Sequence, residues 1–202
     1  MSSVKLEALE RIGGVVCLDF VNTVDPRYGP ARVEYLPDYQ ALVDWSVGAG
    51  LLDAEAAAHL GSIATRRPNE ARAIHRRAID LREAVVTLLR GVGGEPTGAL
   101  ATLNGELAKA RRREILHSGT TFKAKWPDSS SLDRVLWPIA ESTAELLTSD
   151  QLGRVRECEG ERCGWVFLDT SKAGRRRWCS MADCGNRAKA KRRRAIRSLA
   201  RK

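Results

Sequence analysis

The sequence predicts an α+β fold that is mainly helical, and three observations carry that prediction. Apolar residues recur at three- and four-residue steps along much of the first 150 positions. The β-branched runs are all short. Four cysteines in two pairs occupy the last quarter, just ahead of a run of arginines and lysines. With 202 residues and 43% hydrophobic content, the chain can bury one substantial core and carry a small further module.

The elements follow in order. Val15, Val16, Cys17, Leu18, Asp19, Phe20 and Val21 form an apolar run between Gly13-Gly14 and a turn-forming stretch from Asn22 to Pro26, which predicts a buried strand. Asp19 interrupts it, and a buried carboxylate requires a charged or hydrogen-bonding partner. It is either a structural residue held by an arginine or by backbone amides, or part of a ligand pocket with Asn22. Cys17, remote from the other four cysteines, reads as a small buried hydrophobe. After an extended connection over 27–36, Asp38 caps a helix bearing Leu42, Val43, Trp45 and Val47, closed by Gly48 and Gly50. Asp53 caps another that reaches Thr65. Pro68 breaks the chain before a long helix over 70–90, in which Ile74, Ala78, Leu81, Val85, Leu88 and Leu89 form one apolar face. Gly91, Gly93 and Gly94 have no preceding strand and no following Gly-Lys-Ser/Thr, so they read as a helix cap and turn rather than a phosphate loop. A helix over 97–112 follows, then a β-hairpin of 114–117 and 120–126 joined at Ser118-Gly119. A helix opened by Ser131 runs through Leu147, with Pro138 in its first turns or at a break. Residues 152–158 read as a strand leading into the cysteines. The predicted domains are 1–150, helical with short β elements, and 151–202, with the boundary near 148–154.

No stretch approaches the roughly 20 apolar residues that cross a bilayer, and the first ten positions lack the apolar core of a secretory signal. The expected location is cytoplasmic, with no membrane partner. Structural disulfides are rare in that reducing compartment. Cys158 and Cys163 are separated by four residues, as are Cys179 and Cys184, with fifteen between the pairs. Two equal pairs on a short linker point to a closed tetrahedral shell of four thiolates around a structural Zn²⁺, although the commoner spacing within a pair is two. Free or redox-active thiols are the competing reading. Between the pairs, an apolar stretch from Trp165 turns at 172–174 and returns through 175–178, which predicts a small β-hairpin with the metal at its open end. Trp165, Phe167 and Trp178 would be its miniature core, and metal binding would supply much of its folding free energy. Four thiolates leave excess negative charge on the centre, so Arg176, Arg177 or Arg187 is expected against it. Beyond Cys184, Gly185-Asn186 predicts a tight turn and 187–200 a helix, with Ala188, Ala195, Ile196 and Leu199 as an apolar seam.

The net charge of +9 is unevenly placed. Residues 151–202 hold 16 Lys/Arg against 5 Asp/Glu, a net +11, which leaves 18 against 20, a net −2, for the remainder. So local a basic stripe implies a polyanionic partner. The candidate nucleic-acid contacts are Arg187, Lys189, Lys191, Arg192, Arg193, Arg194 and Arg197, chiefly to phosphate. A charge run can also be only a solvated face; the adjoining four-cysteine module is what favours nucleic acid.

The spacing Cys158-x4-Cys163, Phe167-Leu-Asp-Thr-Ser171, Arg176-Arg-Trp-Cys179-Ser-Met and above all Cys184-Gly-Asn-Arg187 with Lys189 resemble the CGNR zinc-finger family. Cys17-Leu-Asp-Phe-Val-Asn-Thr23 resembles the opening of the ABATE domain, which precedes that finger in proposed bacterial stress-induced transcriptional regulators. The resemblance spans essentially the whole chain, and its finger motif is the more specific part. It implies zinc on the four cysteines and a DNA-binding role. Glu157, Glu159 and Glu161 make the first cysteine loop unusually acidic, which would disfavour phosphate on that side.

The expected function is a zinc-dependent DNA-binding transcriptional regulator whose amino-terminal domain senses a small ligand or pairs two chains into a homodimer. The alternatives are an adaptor binding RNA or an acidic protein, and a thiol redox switch. Catalysis is not expected. His59, His75 and His117 are scattered, no His-Glu-x-x-His or nucleophile-elbow motif is present, and a four-thiolate zinc has no open position for water.

Overall fold

The computed structural model describes residue 6 and residues 9–91, 97–117, 123–127 and 130–199. The turn beyond Gly91, the Ser118-Gly119 turn and the predicted helix end at residue 200 lie outside the described residues. Residues 16–21 form a helix, α1 (Val16–Val21), where the sequence predicts a strand. Cys17, Leu18, Phe20 and Val21 have no exposed surface, and in so short a run of apolar positions periodicity cannot separate a buried helical turn from a buried strand. Two short strands, β1 (Val24–Asp25) and β2 (Val33–Glu34), pair antiparallel with Val24 opposite Glu34.

Asp38 and Asp53 cap α2 (Tyr39–Gly48) and α3 (Ala54–Arg66) as expected, accepting from the Ala41 N–H (2.9 Å) and the Ala56 N–H (2.7 Å). The long helix α4 (Pro68–Arg90) starts on Pro68 and stops at Gly91, which takes the left-handed φ of 55°. Its buried face of Ala71, Ile74, Ala78, Leu81 and Val85 packs against α1, α2 and α3 and against α5 (Thr97–Arg111). Strands β3 (Ile115–His117) and β4 (Lys123–Lys125) pair antiparallel with Leu116 opposite Ala124. A 3₁₀ turn over Leu132–Leu136 leads into α6 (Trp137–Leu147), and Pro138 sits at that junction, where its missing N–H costs nothing.

One arginine breaks the apolar face of α4. Arg82 is fully buried and donates to both carboxylate oxygens of Glu34 (2.7 and 2.6 Å), to the Thr23 hydroxyl (3.0 Å) and to Glu83 (3.1 Å). Arg27 donates to Glu83 (3.0 Å) and to the Val21 carbonyl. A guanidinium taken out of water needs such partners, and removing one from a buried pair typically costs about 3–5 kcal/mol. The network pins residues 23–34 to α4.

After a 3₁₀ turn over Asp150–Arg154, β5 (Val155–Glu157) pairs antiparallel with β6 (Val166–Leu168), Arg156 opposite Phe167. This corrects the expected hairpin: β6 pairs with the upstream segment, residues 175–178 form no strand, and the first two cysteines lie in the β5–β6 connection. Val155 offers Leu168 an apolar partner, whereas Arg175, Arg176 and Arg177 in succession have no alternation to bury. Asp169 folds the downstream chain instead, accepting from the Ser171 N–H (2.9 Å) and the Arg176 N–H (3.0 Å). A hydrogen bond from the Ser171 side chain first, and these two amide bonds after it, hold its carboxyl below the usual range against the effect of burial.

The chain ends in a wide helical turn, Met181–Gly185, continuous with α7 (Asn186–Leu199). Gly185-Asn186 therefore lie within helix rather than in a tight turn. A Cβ on Gly185 would stand 2.7 Å from the sulfur of the half-exposed Met181 side chain, which would have to swing aside. No residue of α7 is buried. Its predicted seam is unpacked, with Ile196 and Leu199 exposed at 56% and 74%. The rest of the finger does not form a separate miniature core: Trp165, Phe167, Leu168 and the four cysteines belong to the same apolar cluster as Leu18 and Phe20. Among the described residues no helix is long and apolar enough to cross a membrane.

Candidate metal centre and basic helix

Cys158 immediately follows β5, Cys163 precedes β6, Cys179 follows the Asp169 loop and Cys184 lies in the turn that starts α7. All four are buried, and their sulfurs lie within 4.8 Å of one another, with Cys163 to Cys179 at 3.7 Å and Cys179 to Cys184 at 3.6 Å. Tetrahedral Zn²⁺ with bonds of about 2.3 Å separates its sulfurs by roughly 3.8 Å, so the donor set fits the ion. The Gly160 and Cys179 N–H groups each donate to the Cys158 sulfur at 3.3 Å. A Cβ on Gly160 would come within 2.8 Å of the Cys184 sulfur, so the loop must carry glycine to wrap the cluster.

The Cys163 and Cys179 thiols, hydrogen-bonded to Cys158, are pushed up, Cys163 to about 12. Cys158, accepting from Cys163 and Cys179, is pushed down to about 2. Sulfurs this crowded share protons unless a divalent cation replaces them. Of the three arginines expected against the centre, only Arg187 touches a sulfur, donating to Cys184 at 3.1 Å and to Asp183 at 2.9 Å. Arg176 lies over the Phe167 ring at 4.1 Å and donates to the carbonyls of Trp178 and Cys179. Arg177 pairs with Glu159 and lies over Trp178 at 4.8 Å.

Two family profiles match the chain. That of ABATE, described as "Putative stress-induced transcription regulator", covers residues 14–150, and that of the CGNR zinc finger covers residues 154–197. The chain belongs to the ABATE family. No curated protein matches it.

The opening motif of the ABATE region has a structural rationale here, because it forms the seat of the finger. The Asn22 side chain donates to the Val166 carbonyl (2.8 Å) and accepts from the Val166 N–H (2.9 Å), satisfying one residue of β6 on both sides. Thr23 is held by Arg82. Gly13 accepts from the Leu168 N–H (2.8 Å) and donates to Asp19 (2.7 Å). The finger reciprocates: Trp165 donates its indole N–H to the Val24 carbonyl (3.0 Å), while the Arg27 and Tyr28 N–H groups bind the Cys163 and Arg162 carbonyls (2.9 and 3.1 Å). Gly164 has φ 66°, and a Cβ there would stand 2.6 Å from the Tyr28 ring. Thus the partners of Asp19 and Asn22, the candidate pocket residues, are the protein's own backbone. His59 and His75 contact Ser130 and the Leu36 carbonyl.

The seven cations of α7 divide by partner. Arg187 has Cys184 and Asp183, and Lys191 pairs with Glu161 at 2.8 Å. Among the described residues Lys189, Arg192, Arg193, Arg194 and Arg197 have no ion pair, and α7 contains no acidic residue. Each acid of the first cysteine loop also has a basic partner: Glu157 contacts Arg90, Glu159 Arg177 and Glu161 Lys191. Gly160, Asp169 and the Arg82–Glu34 pair went unread in the sequence, although an arginine inside the apolar face of α4 was a usable signal.

Proposed function

We propose that the chain is a zinc-dependent DNA-binding transcriptional regulator in which residues 151–202 bind duplex DNA and residues 1–150 sense a small ligand or assemble two chains. The observation that carries this reading is α7: fourteen residues with seven cations and no acid, none of them buried, set directly on the four-cysteine centre. A bare cationic helix frays in water. One whose start is anchored by a metal ligand, Cys184 in the turn just before it, presents its charges in a set direction, which is what phosphate recognition requires. The family description supports a regulatory role. The zinc is structural in this reading, since four thiolates close its shell. RNA is the second polyanion the same charge could meet.

Selection of bound sequences from a random duplex library, with and without a zinc chelator and with single-stranded RNA as competitor, tests the reading. The expected result is recovery of duplex by zinc-loaded protein and loss of recovery on chelation. Equal recovery in chelator, or displacement of duplex by RNA, refutes it.

A further inference from the structure

The two sides of α7 differ, and the difference assigns a direction to the bound polymer. Around the helix, Arg187, Lys191, Arg192 and Arg194 line, with Glu159, Glu161 and Cys184, a cleft between the first cysteine loop and the helix. On that side two of the four cations of α7 are engaged: Arg187 holds the Cys184 sulfur and Asp183, and Lys191 holds Glu161. A phosphate entering there would meet the carboxylates of Glu159 and Glu161 and would have to displace intramolecular pairs. Lys189, Arg193 and Arg197 instead succeed one another at four-residue intervals, a row that advances about 6 Å per step along one helix face. None of them lines the cleft, all are exposed, and among the described residues none has an ion pair. An α-helix enters the major groove, about 12 Å wide, with one face toward the bases and its flanks toward phosphate.

We propose that α7 meets duplex DNA through the face formed by Lys189, Arg193 and Arg197, while Arg187 acts inside the finger as a positioning residue on Cys184 and Glu161 screens the opposite side by holding Lys191. The inference rests on the DNA-binding reading above and adds the orientation of the helix on the duplex.

The test uses the full zinc-loaded chain on a duplex oligonucleotide, with anisotropy followed over salt and zinc content measured for every protein. If the three cations of the assigned face meet phosphate, wild-type affinity falls about 40-fold between about 50 and 200 mM salt; the triple variant K189Q/R193Q/R197Q, left with none of these contacts, should lose almost all of that salt dependence. Its zinc content should be unchanged, because no altered residue touches a ligand. Glu161→Gln should tighten binding about two- to fivefold by releasing Lys191 from an exposed pair. If the triple variant does not fold, the three single substitutions replace it, each lowering the salt slope by about 0.9. A triple variant that titrates like wild type overturns the assigned face while leaving DNA binding intact, as would an E161Q variant whose gain exceeds tenfold with that triple unaffected. A wild-type protein that ignores duplex, or prefers single-stranded RNA, overturns both.

Discussion

Replacing Asn22 by alanine removes a side chain of the ABATE region that, alone among the described residues there, hydrogen-bonds β6 of the finger. Two hydrogen bonds are lost, to the Val166 carbonyl and from the Val166 N–H, in a site where Asn22 is 1% exposed and Val166 is 5% exposed. Neutral hydrogen bonds contribute about 0.5–1.5 kcal/mol each, and each buried group left unpaired costs about 1–3 kcal/mol. Alanine leaves room for one water that can recover part of this, so the expected loss is about 2–4 kcal/mol. For a chain of this size that corresponds to a Tm lower by roughly 6–12 °C. Asn22→Asp should be at least as damaging, because it sets a carboxylate oxygen against the Val166 carbonyl. Thermal unfolding followed together with zinc release by a chromogenic chelator is the assay. In both variants zinc should escape faster at temperatures where the helical part is still folded, since the finger has lost its seat. A Tm within 2 °C of wild type with unchanged zinc release would refute the claim that Asn22 couples the two parts.

Three further outcomes follow from the same geometry. Gly160→Ala forces a methyl against the Cys184 sulfur and should weaken zinc retention on the order of tenfold or more in chelator competition, with the circular dichroism of the amino-terminal helices preserved. Arg82→Met removes the guanidinium that pairs with both oxygens of Glu34 and donates to Thr23 and should cost a few kcal/mol, on the order of 3, in urea unfolding, while the double variant R82M/E34M recovers part of that loss. Burial tends to raise the Glu106 carboxyl, but the Arg77 fork and Lys109 outweigh it and hold the group below its usual range. A depressed carboxylate stabilises the fold above its unfolded pKa and loses that contribution as pH falls through the folded one. The Tm gap between wild type and Glu106→Gln should therefore be open at pH 6 and close below about pH 4, with acid release of zinc cancelling between the two proteins.

The helical elements were legible because each is announced locally: Asp38 and Asp53 as caps, Pro68 and Gly91 at the two ends of α4, and the apolar spacing between them. The four ligands were legible for the same reason, since the spacing within each pair is visible along the chain. Three features depend on partners remote in sequence. α1 is helical where α4, α6 and β6 pack on its buried residues, which its own composition cannot reveal. β6 pairs with Val155–Glu157 because that segment has the matching apolar register, and the arginines after the turn do not. Asn22 reads as a turn residue or a ligand contact until Val166, 144 residues away, is placed against it. The apolar residues of α7 mislead for the opposite reason: the spacing is helical, but nothing among the described residues packs on Ile196 or Leu199.

The account turns on whether the metal centre presents α7 to DNA, and the most direct measurement is the salt dependence of duplex affinity for zinc-loaded and chelated protein. The three cations of the assigned face at about −0.9 each predict a slope of log affinity against log salt of about −2 to −3 for the loaded chain, collapsing on chelation and returning when zinc is restored. A slope near zero, or one that chelation leaves unchanged, would contradict it.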